Sequence, residues 1–125
     1  MLSRKTRNSV PSGGFELYSW FFMRVSGVLL LGFVLIHLAI MHLINNVDVI
    51  NYNFVADRWA NPAWRLYDII LLTIALAHGG NGLRIIMDDY VHSKFWRTMA
   101  VSTLYTLGFV VYAIGLLVIL TFGKA

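Results

Sequence analysis

The sequence predicts an all-α membrane protein of three transmembrane helices in a bundle, and three observations carry that prediction. The chain of 125 residues is 58% hydrophobic and only 13% charged, with a mean hydropathy of +0.69, whereas soluble domains run near half apolar and about a quarter charged. The excess falls in three separate apolar blocks that fill most of the chain. The basic residues stand at the ends of those blocks, so the net charge of +4 reads as membrane topology and not as affinity for nucleic acid. A self-contained soluble enzyme is excluded. With no Cys, disulfides, iron–sulfur ligation and thiolate metal sites within this chain are excluded too, and any redox centre held here must rest on His, Met or Tyr.

The first span is expected over residues 18–44. Its uncharged core, 25–44, covers the ~30 Å hydrocarbon layer at roughly 1.5 Å per residue. The second, over 66–89, is weaker, because its uncharged run 69–83 is short and must be extended by Leu66, Tyr67, Ile85, Ile86 and Met87. Asp68 and Arg84 then stand near opposite interfaces. The third is uncharged over 98–122 and stops at Gly123 and Lys124, so no domain is expected at the C-terminal end. The whole chain, 1–125, is expected to form a single membrane-anchor domain.

Arg4, Lys5 and Arg7 before an apolar run raise the question of a cleavable signal peptide. The run is too long for a signal core, and His42-Leu43-Ile44-Asn45-Asn46 at its end offers no small-residue cleavage pattern. It is therefore read as mature structure behind an N-terminal segment 1–17. Arg4, Lys5, Arg7, Arg24, Arg84, Lys94 and Arg97 lie on one side of the membrane, against Arg58, Arg65 and Lys124 on the other. The positive-inside rule then places the N-terminus in the cytoplasm and the C-terminus outside. Trp20 and Trp96 fall at the inner boundary and Trp59 and Trp64 in the outer loop, as interfacial anchors. The outer loop 45–65, with Pro62 after Asn61, is expected to form a short amphipathic or irregular cap without chemistry. The segment 9–14, with Pro11, Gly13 and Gly14, is expected to be mobile up to Tyr18 unless a partner orders it.

Ionisable side chains at bilayer depth cost a few kcal/mol, so each is a functional candidate. His37 lies roughly 18 Å from the inner edge, His42 roughly 26 Å, and His78 about 13 Å counted from Met87. A lone intramembrane histidine is as often a hydrogen-bonded packing residue as a ligand. His78, however, is followed by Gly79, Gly80 and Gly82, which bare the helix surface so that a flat macrocycle can lie against it; the same glycines also serve plain helix packing. A b-type haem needs a neutral imidazole nitrogen at each axial position, an apolar slot and cations near its propionates. His78, its glycines and Arg84, about 9 Å along the axis, can supply these. Arg84 reads equally as a snorkelling interfacial arginine.

Asp88, Asp89 and Tyr90 follow where the second span leaves the bilayer. A tyrosine hydroxyl there can donate to a quinone carbonyl, and a carboxylate beside it can hold it or relay protons. Arg24 and Ser26 start the first span at about the same depth and can meet this cluster. Termination of the helix is the plainer account of the same residues.

His78 with Asp89 eleven and Tyr90 twelve residues on, the three-span layout, and the run Phe22-Met23-Arg24-Val25-Ser26-Gly27 together resemble the hydrophobic membrane-anchor subunits of succinate dehydrogenase, the D-type chains of respiratory complex II. The resemblance covers most of the chain from about Tyr18. It implies a bacterial or archaeal cytoplasmic membrane and a second, cytochrome b-type membrane subunit. It also implies a flavoprotein and an iron–sulfur subunit on the cytoplasmic face, which alone hold FAD and the iron–sulfur clusters. On this resemblance His78 is an axial ligand of haem b and its iron, the other ligand coming from the partner chain. Tyr90, with Asp89, lines the quinone pocket, and electrons from succinate end at quinone. The chain departs from the pattern in the doubled acid at Asp88 and the extra His37 and His42, either of which can ligate a second haem. Three alternatives stay open at this point: a haem-free quinone-binding anchor of a fumarate reductase-type complex, a structural subunit of another respiratory complex, and a small transporter. The lack of a deep carboxylate, with Glu16 before the first span and Asp68 and Asp88 at span edges, counts against a proton-coupled transporter.

Overall fold

The computed structural model describes residues 13–123. Helix α1 begins at Gly14, where φ is +72°, and runs through Gly14–Leu38. Glu16 in its first turn complements the positive end of the helix dipole. The helix then widens into a π-helical turn, Ala39–Ile44, whose end is tied down by Asn45. Both the Asn45 backbone N–H and its side-chain Nδ2 donate to the Ile40 carbonyl, at 3.2 and 2.7 Å. The two segments form one continuous span of 31 residues.

The loop between the first two spans takes the helical rather than the irregular form of the expected cap. A single 3₁₀ turn, Val47–Val49, leads into helix α2, Tyr52–Ala60, whose start is capped by the Asn51 side chain accepting from the Phe54 N–H at 3.1 Å. Asn61 closes α2 and opens helix α3, Pro62–Tyr90. Its side chain accepts from the Ala63 N–H at 2.9 Å, and Pro62 takes the first helical position, where no N–H is required. Helix α4, Lys94–Thr121, follows a short turn.

Each spanning helix starts four residues before the hydropathy boundary: at 14, 62 and 94, against expected starts of 18, 66 and 98. The reason is physical. Hydropathy locates the hydrocarbon layer, whereas a helix continues through the headgroup zone until a capping residue or a glycine ends it. The expected mobility up to Tyr18 is corrected accordingly from Gly14 on; residues 9–12 of that segment lie outside the described residues.

Helix α3 stands between α1 and α4 and packs on both, while the outer two have little contact with each other. The packing is inverted relative to a soluble domain. Ile119 is the one buried hydrophobic side chain among the described residues, and the other buried side chains are Ser19, Ser26, Asp68 and Arg84. Lipid supplies no hydrophobic drive between helices, so close approach and interhelical hydrogen bonds must hold them. Gly115 of α4 lets Leu72 of α3 come so near that a Cβ there would lie 2.8 Å from Leu72 Cδ2. Across the other seam, Tyr67 donates to the Phe33 carbonyl and the two rings stack at 5.1 Å.

Candidate functional site

The seam between α1 and α3 brings together residues that sequence reading had assigned to different tasks. His78 Nδ1 lies 2.8 Å from Ser26 Oγ, and the Ser26 hydroxyl also lies 2.6 Å from the Phe22 carbonyl one helical turn back. A Cβ at Gly27 would come within 3.4 Å of His78 Cε1, so that glycine lets the imidazole lie close against α1. Among the described residues, the other ring nitrogen, Nε2, has no hydrogen-bond partner. Ser26 is only 3% exposed.

The glycines after His78 do not all flank the imidazole. At about 100° per residue they point in different directions. Gly82 faces Met23 of α1, with 3.4 Å from its would-be Cβ to Met23 Cε. Gly79 and Gly80 instead open onto the α3–α4 side, in an apolar groove of 780 Å³ that also takes in Thr73, Tyr105, Gly108 and Tyr112. His78 is turned to α1. The donor nitrogen therefore fits a haem ligand, while the bare glycine surface imagined beside it is on another face of the helix.

Toward the N-terminal end of the same seam, Arg84 is 8% exposed and fully engaged. It pairs with Asp88 at 2.9 Å, donates to Asn81 Oδ1 at 3.1 Å and to Ser19 Oγ at 3.3 Å, and stands 3.6 Å from Glu16. Asn81 in turn donates to Ser19 at 2.8 Å. Asp88 is further approached by Arg97 of α4 at 3.7 Å. Arg84 is thus neither a free cation nor a snorkelling one: its charge is already balanced at a junction of all three spans. Tyr90, the last residue of α3, is 79% exposed, and Asp89 beside it is exposed as well. Arg24 does not reach this cluster. Its guanidinium lies 3.7 Å over the Trp20 ring and donates to the Trp20 carbonyl, and Ser26 is committed to His78.

The opposite end of the seam holds a second polar centre that sequence reading missed. Asp68 is 8% exposed. Its carboxylate accepts two hydrogen bonds from Arg58, at 2.9 and 3.1 Å, and one from Trp59 Nε1 at 2.6 Å. His37 Nδ1, buried and without a hydrogen-bond partner, lies 3.8 Å from the same carboxylate. Arg65 clamps the end of α4 through the carbonyls of Ile119, Leu120 and Phe122, at 2.8 to 2.9 Å, and also donates to the Trp59 carbonyl. The available signal was an acid at the edge of an apolar block preceded by two arginines in the outer loop, whose partners only folding reveals. His42, on the π-helical turn, is exposed and forms no ion pair or hydrogen bond among the described residues. Among the described residues there is likewise no group of three or more metal-ligating side chains.

The chain as a whole is similar to known proteins. The model of the succinate dehydrogenase/fumarate reductase transmembrane subunits matches residues 4–122. The chain belongs to that family. It is 33% identical over 95 residues to the succinate dehydrogenase hydrophobic membrane anchor subunit of Archaeoglobus fulgidus, a match covering 75% of this chain and 79% of that protein. The subunit of the same description from Thermoplasma acidophilum is 30% identical over 83 residues, covering 66% and 68%. The expected family and the all-helical three-span architecture are borne out. With three helices long and apolar enough to cross a bilayer, this family member is a multi-pass membrane protein.

Proposed function

We propose that this chain is the membrane-anchor subunit of a succinate:quinone oxidoreductase, inactive alone, which helps to bind haem b and quinone and docks the flavoprotein and iron–sulfur subunits. The observation that carries the proposal is His78: an imidazole at bilayer depth, held at one nitrogen by α1 and unpartnered at the other, in a chain of this family. An unsatisfied ring nitrogen in hydrocarbon is costly, and ligation is a use that repays the cost. His78 would hold a haem b there together with the cytochrome b-type partner, and that group would supply a one-electron carrier within the membrane.

The chain's own residues then divide the remaining work. Arg84 puts positive charge on the membrane side of Asp88, where it can face a propionate only by sharing its hydrogen bonds. The exposed Tyr90 offers its hydroxyl to a quinone carbonyl, and Asp89 can hold the hydroxyl or pass protons. FAD and iron–sulfur chemistry belong to the partner subunits, so this chain serves the quinone end of electron transfer from succinate.

The test is the b-haem content of the purified complex, read as reduced-minus-oxidised absorbance per flavin, for the parent and for His78→Ala. Abolition or halving of the signal in an assembled complex is expected. An unchanged signal, or a parent without haem, would leave only a quinone-binding anchor. A second haem is a further reading supported by one observation, the buried His37 Nδ1 standing 3.8 Å from the Asp68 carboxylate without a hydrogen-bond partner. His37 is then the ligand in preference to the exposed His42, and residual haem in His78→Ala is the expected sign.

A further inference from the structure

Ser26 is bound to two groups with only one proton. The hydroxyl carries a single hydrogen and two lone pairs, the Phe22 carbonyl 2.6 Å away can only accept, and the site is closed to solvent at 3% exposure. Donation to the carbonyl one turn back is the habitual bond of a serine inside a helix. With its proton so committed, Ser26 Oγ can only accept from His78 Nδ1 at 2.8 Å. The opposite assignment would leave an N–H on Nε2 with no acceptor among the described residues.

We infer that Ser26 is a positioning residue that fixes neutral His78 as its Nδ1–H tautomer, so that the Nε2 lone pair faces outward and is ready to bind iron. This rests on the reading of His78 as a haem ligand, and it removes Ser26 from the quinone pocket. Gly27 supports the arrangement, since a side chain there would press on Cε1. An acceptor on the far nitrogen also raises the ligand's basicity and so favours ferric over ferrous iron.

The experiment uses the whole complex purified from membranes. Redox titration of the haem absorbance and haem per flavin are measured for the parent, Ser26→Ala, Ser26→Cys and Ser26→Thr, with His78→Ala in parallel. Ser26→Ala removes the acceptor, and the haem midpoint potential should rise while haem retention falls about tenfold, in the range seen for such supporting partners. Ser26→Cys, close in size but a weak acceptor, should shift the potential the same way and decides the matter if the alanine variant does not assemble. Ser26→Thr keeps the hydroxyl and should restore the parent potential. A residue that merely packs would leave the potential unmoved. If His78→Ala loses haem but the alanine and cysteine variants keep the parent potential and haem content, the inference is overturned while the haem reading stands. If His78→Ala keeps all its haem, the haem reading itself fails, and the inference with it.

Discussion

At the scale of single residues, a polar side chain in this protein is stable because another polar side chain on a neighbouring helix answers it. Asp68 shows this most clearly, with three hydrogen bonds on one buried carboxylate. Removing one member of a buried ion pair costs about 3 kcal/mol or more, because the survivor keeps its desolvation penalty. Asp68→Asn should therefore lower the thermal midpoint of the detergent-solubilised complex, followed by circular dichroism; an unchanged midpoint would show that Arg58 finds another anion. Tyr90 is the opposite case, exposed and structurally idle. Tyr90→Phe should leave the fold and dye-linked succinate oxidation intact while impairing quinone reduction. Equal loss of both activities would deny the hydroxyl its role.

At the scale of elements, contact depends on where small residues fall. Gly115 sits where Leu72 leaves no room for a Cβ, while nothing lies within 4 Å of where a Cβ on Gly108 would be. Gly115→Ala should push the tip of the Leu72 side chain aside and cost about 1 kcal/mol, the low end of overpacking, whereas Gly108→Ala should be nearly neutral in the isolated chain. Comparing denaturation of the two variants in one detergent tests this, and equal stability would contradict the packing. Helix ends obey the same logic of satisfied backbone. Asn51 and Asn61 start α2 and α3, and Arg65 covers the last carbonyls of α4, so the outer cap is tied to the membrane helices by hydrogen bonds.

At the scale of the molecule, the described chain has almost no apolar interior, and its two polar centres mark its two ends. Arg84, Asp88 and Arg97 gather at one end and Arg58, Arg65 and Asp68 at the other. The absence of Cys makes the orientation directly measurable with single introduced cysteines. A cysteine at His92 should react with a membrane-impermeant maleimide only after the cells are opened, and one at Asp57 should react in intact cells. The reverse pattern would refute a cytoplasmic N-terminus.

Fold class was legible because hydrocarbon thickness demands long uncharged runs, and residues 25–44 and 98–122 meet that demand whatever their neighbours do. His78 was legible as a candidate for the same reason: an ionisable group at that depth needs a purpose. By itself the sequence determined the family and the three-span, all-helical architecture. Direction around the helix was decided only by tertiary structure, since each residue turns a side chain by about 100° and the partner face depends on how three helices pack. That turn sends Gly79 and Gly80 away from His78, points Ser26 at it, brings Arg84 to Ser19 and draws Asp68 to Arg58, none of which spacing along one helix can reveal.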